Sequence, residues 1–218
     1  MPETIRKTDG DSLLKRILKI LLGLLLAALI VGSVTLGIRN YSILKDVHRY
    51  DGEISQAAEK YGIPEHKALI AAIIFTETKG RHTDLMQSSE SRYGESGKIT
   101  DEKDSIDAGV SFLAQALKQA ESAGCDEATA IQSYNFGLDY IDYVAERGQK
   151  NSKKLAESYS RDVLSPKLGN KEQTKYRYWG LHSLIYNGGF LYHNGGNLFY
   201  ADIVGWNEMK YKATGFLF

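Results

Sequence analysis

The sequence predicts a mainly α-helical domain preceded by a single transmembrane helix. Residues 20–38 form an uncharged apolar run, and apolar side chains recur at helical spacing through most of the chain after Tyr41. Residues 81–104 and 186–196 are instead rich in Gly, Ser, Asn and Asp without a helical period, which indicates a minor loop or β element. A length of 218 residues allows one compact domain with an appendage.

The apolar run sets the predicted organisation of the chain. Residues 20–38 read ILLGLLLAALIVGSVTLGI, and about 20 apolar residues span a bilayer as a helix. Lys15, Arg16 and Lys19 crowd the N-terminal side of the run and only Arg39 flanks its other end, so the positive-inside bias places the N-terminus in the cytoplasm. The predicted parts are a cytoplasmic tail over 1–19, a transmembrane anchor over 20–38, a linker over 39–47 and an extracellular domain over 48–218. A cleaved signal peptide or a buried helix is the alternative.

Charge and motif content exclude several classes of function. The chain has no net charge, and residues 40–218 carry 21 cations against 24 anions, so the basic face of a nucleic-acid-binding protein is missing. The five histidines show no metal-ligand spacing, and the sequence has no GxSxG or phosphate-binding Gly-Lys-Ser/Thr loop. The lone Cys125 cannot form an internal disulfide. Neither a metal nor a cofactor is expected, and the chemistry must depend on carboxylates.

The helices of the domain are predicted from apolar spacing and from residues that cap or stop a helix. Asp51 is the expected N-cap of a first helix that ends at Gly62. Pro64 opens a second helix, which runs through the apolar residues 68–75 to Glu77 and ends near Gly80. Further helices are predicted from Ser105, from Asp126 with a break near Gly137, and around residues 155–163.

Glu77 is the most unusual carboxyl group in the sequence. It follows the apolar run 68–75, so burial at the end of that helix would raise its pKa. A general acid that works near neutral pH needs such a shift. Glycosidases pair this acid with a second carboxylate, and Asp84 is the nearest candidate, seven residues further on.

Four segments together resemble the lysozyme-like superfamily of soluble lytic transglycosylases and goose-type lysozymes. They are YGIPEHKALIAAIIFTETKG (61–80), DLMQSSES (84–91), SIDAGV (105–110) and SYNFG (133–137). The sequence is most similar to the membrane-anchored branch typified by the muramidase domain of CwlT-type wall hydrolases of Gram-positive bacteria and their conjugative elements. The resemblance covers about residues 45–205 and implies a lysozyme-like α+β fold.

The resemblance also implies roles for particular residues. Glu77 becomes the catalytic acid, and Asp84 becomes the second catalytic carboxylate. The residues implied to contact the substrate are Met86, Gln87, Ser88, Ser89, Tyr134 and Asn135. Instead of contacting the substrate, Tyr134 could be a core aromatic residue at helical spacing, and instead of acting in catalysis, Asp84 could simply begin a turn.

The implied activity is cleavage of peptidoglycan glycan strands by an N-acetylmuramidase, which hydrolyses the MurNAc-β-1,4-GlcNAc bond. The implied partners are these strands, the lipid bilayer through residues 20–38, and a cell-wall or conjugation machinery. One alternative is a lytic transglycosylase, which uses the same acid but forms anhydro-muramyl ends. Another is a catalytically idle peptidoglycan-binding protein, for which Glu77 would not be needed.

Overall fold

The computed structural model describes residues 5–95 and 97–218, and the side chains of residues 5–12 and of Ser91 are outside that description. Residues 1–4, part of the predicted cytoplasmic tail, lie outside the described residues. The chain divides into two compact units, one that ends at Ile43 and one that comprises Leu44–Phe218.

The described residues of the first unit all belong to helix α1, which spans Ile5–His48, so its last five residues are counted in the second unit. Its most apolar stretch is long enough to cross a membrane and is fully exposed, whereas the core helix of a soluble protein would be largely buried. Residues 39–47, which were expected to form a linker, lie within this helix.

The second unit is mainly α-helical, with one small two-stranded sheet. Helix α2 spans Asp51–Lys60, a 3₁₀ turn spans Pro64–His66, and α3 spans Lys67–Glu77. The following elements are α4 (Ser89–Tyr93), α5 (Glu102–Ser122), α6 (Glu127–Phe136), α7 (Asp139–Ala145), α8 (Lys153–Tyr159), a π-helical turn (Ser160–Leu164) and α9 (Ser165–Lys167). The last elements are β1 (Lys175–Arg177), α10 (Leu181–Asn187), β2 (Phe190–Tyr192), α11 (Tyr200–Thr214) and a 3₁₀ turn (Gly215–Leu217).

Helix α3 forms the centre of this unit. Its residues from Leu69 to Phe75 are all buried, because the helix packs against α11 and α2. A second group of apolar side chains lies under α7, α8 and the β strands and includes Phe136, Tyr140 and Tyr159. Burial on this scale fixes the position of the α3 end, where Glu77 lies.

The structure confirms the predicted fold class and corrects some boundaries. Asp126 caps α6, with its side chain accepting from the Thr129 N–H. Helix α5 begins at Glu102 instead of Ser105, because Asp101 caps it. The segment after Gly80, predicted to be a loop or a hairpin lobe, contains the short helix α4.

The segment with two Asn-Gly-Gly triplets does not form the tight hairpin that Asn-Gly favours. Strands β1 and β2 pair antiparallel, with Tyr176 opposite Leu191, but helix α10 connects them. The first triplet, at Asn187, ends this helix: the Asn187 side chain accepts from the Phe190 N–H, and Gly188 takes a left-handed φ of 76°.

Candidate active site

Glu77 lies at the last turn of the buried helix α3, directly before a sharp reversal of the chain. Lys79 and Gly80 both have positive φ, at 60° and 70°. A Cβ at Gly80 would lie 3.0 Å from the backbone carbon of Asp46, so glycine is required there. The Thr78 hydroxyl then donates to the Leu85 carbonyl at 2.8 Å. The reversal therefore brings Asp84 back towards the end of α3.

The Glu77 carboxyl is set apart by burial and by one strong hydrogen bond. Burial raises the pKa of Glu77, a hydrogen bond from Tyr200 partly offsets this, and the negative charge of Asp84 raises it further. The Tyr200 hydroxyl donates to Glu77 Oε1 at 2.5 Å. Burial and the Glu77 charge raise the pKa of Tyr200 well above its usual value, so this hydroxyl stays a donor. The arrangement favours a carboxyl that holds its proton to higher pH than an exposed glutamate.

Asp84 has the opposite environment, although it is only 4% exposed. Its Oδ1 accepts from the Ser88 N–H at 2.9 Å and from the Ser105 hydroxyl at 2.7 Å. Its Oδ2 accepts from the Ser89 N–H at 3.1 Å and from the Ser89 hydroxyl at 2.6 Å. Burial alone would raise the pKa of Asp84, but these hydrogen bonds outweigh it and lower the pKa. The group is therefore a fixed anion.

The four donors fill the lone-pair sites of the Asp84 carboxylate. A carboxylate has about four such sites, and the Ser88 hydroxyl makes a fifth, longer contact at 3.4 Å. No lone pair is left to take a proton from water. Asp84 can act on the site through its charge, which raises the pKa of both Glu77 and Tyr134. The two carboxyls therefore share one region but differ in what they can do.

The segment 84–89 is held in place mainly by its buried side chains and by hydrogen bonds to the rest of the domain. Met86, Ser88 and Ser89 are buried, so a sugar contact by these side chains would require the segment to open. The Met86 N–H donates to the Ser105 hydroxyl at 3.0 Å, which ties the segment to α5. Gln87 is the exception: it has a left-handed φ of 51° and its side chain is exposed. Of the predicted substrate contacts in this segment, Gln87 is the one presented to solvent.

Tyr134 and Asn135, the remaining predicted substrate contacts, lie on helix α6. The Tyr134 hydroxyl donates to the Met86 carbonyl at 3.0 Å, and its ring lies parallel to that of Tyr200 at 6.2 Å. The Asn135 side-chain oxygen accepts from the Asn197 N–H at 2.7 Å. Both side chains thus hydrogen-bond to backbone groups of neighbouring segments in this structure, and direct contact with a sugar stays a prediction.

Two residues of the site were missed from the sequence. Tyr200 lies 123 positions beyond Glu77, and no local pattern marks it. Gln132 positions it: the Gln132 amide donates to the Asn197 carbonyl at 2.9 Å and accepts from the Ala201 N–H at 3.2 Å. The loop before α11 is thereby fixed on α6. Among residues 5–95 and 97–218, no group of three His, Cys, Asp or Glu side chains is placed to hold a metal ion.

Comparison with known proteins agrees with this architecture. A lysozyme-like family model matches residues 44–208. A pneumococcal vaccine antigen A homolog of Streptococcus pyogenes serotype M1 is 50% identical over 139 residues, which cover 64% of this chain and 69% of the relative. The bifunctional muramidase/DL-endopeptidase CwlT of Bacillus subtilis is 38% identical over 119 residues, 55% of this chain and 35% of that protein.

A solved structure and a membrane protein extend the comparison. The crystal structure of a protein similar to a lipoprotein of the NLP/P60 family from Staphylococcus aureus Mu50 superposes with a TM-score of 0.68 at 32% identity. The match covers 75% of this chain and about half, 52%, of that structure's chain. The uncharacterized membrane protein YocA of B. subtilis is 34% identical over 142 residues, 62% of this chain and 63% of the relative. With its N-terminal apolar helix as a single-pass membrane anchor, this chain belongs to the lysozyme-like family.

Proposed function

We propose that this protein cleaves the glycan strands of peptidoglycan as an N-acetylmuramidase, with Glu77 as its general acid. One observation carries the proposal: Glu77 is a partly buried carboxyl with a raised pKa, held by the Tyr200 hydroxyl at 2.5 Å. Such a group holds its proton to higher pH than an exposed glutamate does and can deliver it to the oxygen of a glycosidic bond. The relative CwlT is named as a muramidase, which supports the substrate class.

In this mechanism the two carboxyls have separate tasks. Glu77 protonates the bridging oxygen as the bond to C1 of the sugar breaks, and positive charge then develops on the ring. Asp84 is held ionised by its hydrogen bonds, so it stabilises that charge electrostatically. After the aglycone leaves, the ionised Glu77 accepts a proton from the incoming nucleophile. Tyr200 stabilises Glu77 in this ionised state.

A lytic transglycosylase is the second candidate function. It would use the same acid, but the C6 hydroxyl of the muramyl sugar would replace water as the nucleophile. The saturated hydrogen bonding of Asp84 is compatible with this candidate, because the reaction needs no second carboxylate to activate water. Only Glu77 is then left to accept the proton in either reaction.

Mass spectrometry of the fragments released from purified peptidoglycan distinguishes the candidates. Reducing fragments that end in N-acetylmuramic acid identify a muramidase, and fragments lighter by one water identify a transglycosylase. The Glu77→Gln variant is the control, and loss of the acid is expected to lower the rate by about 10²–10⁴-fold. Unchanged release by this variant would contradict the role of Glu77, and no release by either protein would favour a binding protein.

We further propose that the domain lies outside the cell, with the N-terminus in the cytoplasm. Three cations crowd the N-terminal end of the apolar run (Lys15, Arg16 and Lys19) and one flanks its C-terminal end (Arg39), which supports this orientation. Trypsin added to intact protoplasts should then digest the domain. Digestion only after lysis would show the opposite orientation, with the domain in the cytoplasm.

A further inference from the structure

The region around helix α10 exposes its apolar side to solvent. Leu181, Leu184 and Ile185 share one face of the helix and are 67%, 41% and 78% exposed, and the preceding Trp179 is 71% exposed. The inward side is polar: Ser183 is fully buried and its hydroxyl donates to the Asn187 side chain. A surface helix normally has the reverse polarity. Exposed apolar side chains grouped in this way mark an interaction site.

The patch continues onto helix α11. The His182 ring of α10 lies 6.5 Å from the ring of Trp206, edge to face, so the two helices are adjacent. Trp206 is itself 55% exposed. We call Trp179, Leu181, Leu184, Ile185 and Trp206 together the α10 surface. Neither Glu77 nor Asp84 belongs to it, so the proposed chemistry leaves this surface unexplained.

Cations lie next to the apolar residues. Residues 171–177 contain Lys171, Lys175 and Arg177 against the single anion Glu172, a net charge of +2, whereas residues 40–218 as a whole carry −3. All three cationic side chains are exposed. The Arg177 guanidinium lies 5.2 Å from the Trp179 ring, which joins the cationic segment to the apolar one. An apolar surface with a cationic edge is complementary to an anionic bilayer, where lysines meet headgroups and tryptophans lie at the interface.

The position of the anchor in the chain selects lipid over other partners. The compact domain begins at Leu44, six residues after the apolar run ends at Ile38. Even fully extended, six residues span only about 20 Å, so the bilayer is always within reach of the domain. The aliphatic side chains of Leu181, Leu184 and Ile185 have no ring face on which a sugar could stack. We propose that the α10 surface docks on the anionic lipid bilayer that anchors the chain, and so holds the domain against the membrane.

The sequence provides its own reporter for this contact. Its only two tryptophans are Trp179 and Trp206, and both belong to the α10 surface. The full chain is reconstituted into phosphatidylglycerol bilayers whose acyl chains carry bromine near the headgroup, and tryptophan fluorescence is compared with bromine-free bilayers. Docking predicts strong quenching in phosphatidylglycerol and weaker quenching in brominated phosphatidylcholine. Trp179→Phe and Trp206→Phe then show which ring is quenched.

A charge-reversal pair separates docking from mere proximity. Lys171→Glu with Lys175→Glu should lower the docked-to-undocked ratio at least about 30-fold, because the loss of the two cations alone removes roughly 1 kcal/mol each at an anionic surface. Lys103→Glu with Lys118→Glu makes the same charge change at exposed sites on α5 and should leave quenching unchanged. Equal quenching in both variants, or in both lipids, would overturn the proposal.

The apolar contribution and the competing occupant are tested separately. Ile185→Gln removes the most exposed side chain of the α10 surface, so it should reduce quenching without lowering the melting temperature. If the surface instead binds a second copy of this chain, iodide will lose access to the tryptophans in detergent as protein concentration rises. That protection, without lipid-dependent quenching, would also overturn the proposal.

Discussion

Replacing Asp84 with Asn tests whether its carboxylate holds the segment 84–89 in place. The substitution preserves the shape of the side chain but exchanges one acceptor oxygen for an NH₂ group. In the structure each oxygen of Asp84 accepts one backbone N–H, from Ser88 on Oδ1 and from Ser89 on Oδ2. Each also accepts one serine hydroxyl, from Ser105 and Ser89 respectively. Whichever way the amide is oriented, its NH₂ faces one backbone N–H.

The expected cost follows from these four bonds. A serine hydroxyl can rotate and accept, but a backbone N–H cannot, so one buried donor stays unsatisfied at about 1–3 kcal/mol. The bonds that remain go to a neutral oxygen instead of an ion, which weakens each by about 1 kcal/mol. The sum is about 3–5 kcal/mol, at the upper end for a single substitution. For a domain of this size it lowers the melting temperature by roughly 6–20 °C.

Thermal melts of the full chain in detergent measure this, with pH as a second variable. The native pKa of Asp84 is lowered, so its stabilisation is complete above the usual aspartate pKa of about 3.9. It is lost as pH falls through the lower native pKa, so the difference between wild type and Asp84→Asn should shrink only in acid. A variant that melts like wild type at pH 7 would refute the assignment of Asp84 as a buried hydrogen-bonded anion.

Glu77→Gln is the matched comparison and should have the opposite effect on stability. Burial raises the pKa of Glu77, so ionisation of this carboxyl disfavours the native state. At neutral pH the variant should therefore melt at the same or a higher temperature than wild type, while its glycan cleavage is lost. Tyr200→Phe removes a hydrogen bond to the ionised form of Glu77, worth about 1.5–3 kcal/mol. The pKa of Glu77 should rise, so the alkaline limb of the pH–rate profile should move to higher pH. An unchanged limb would contradict the role of Tyr200. Tyr134→Phe, which loses a hydroxyl bonded to the Met86 carbonyl, should leave that limb in place. Gly109→Ala would put a Cβ 2.6 Å from Met86 and 2.8 Å from the Tyr134 hydroxyl, so we expect at least a tenfold loss of cleavage, checked by fragment release, and about 1–3 kcal/mol of destabilisation, checked by melting.

Local patterns predicted the parts of the fold whose causes are local. The end of α3 follows from a long apolar run and from Gly80, both visible within one segment. The cap at Asp126 follows from the residue type that begins a helix. The start of α5 was misplaced because Asp101, which caps the helix and is as good an N-cap residue as Ser105, lies within a polar stretch that masks the helical period.

The parts of the site that depend on distant contacts were not predictable in this way. Tyr200 bonds to Glu77 only because α11 packs along α3, and that packing depends on the whole core. Ser105 was expected to open a helix, whereas its hydroxyl completes the hydrogen bonding of Asp84 from 21 positions away. The sequence indicated Glu77 and Asp84 as candidate catalytic carboxyls, but hydrogen-bond donors that give the two groups different pKa shifts come from other elements.

Those donors also decide which carboxyl can exchange a proton. Asp84 receives four short hydrogen bonds and stays ionised, whereas Glu77 receives one from Tyr200 and is otherwise desolvated. Two carboxyls with pKa values shifted in opposite directions is the arrangement expected of an acid and a charged partner. The fixed charge of Asp84 helps keep Glu77 protonated, so the two shifts are linked. In the proposed mechanism Glu77 alone gives and takes the proton, so hydrolysis and transglycosylation would differ only in which hydroxyl, from water or from the sugar, occupies the attacking position beside it.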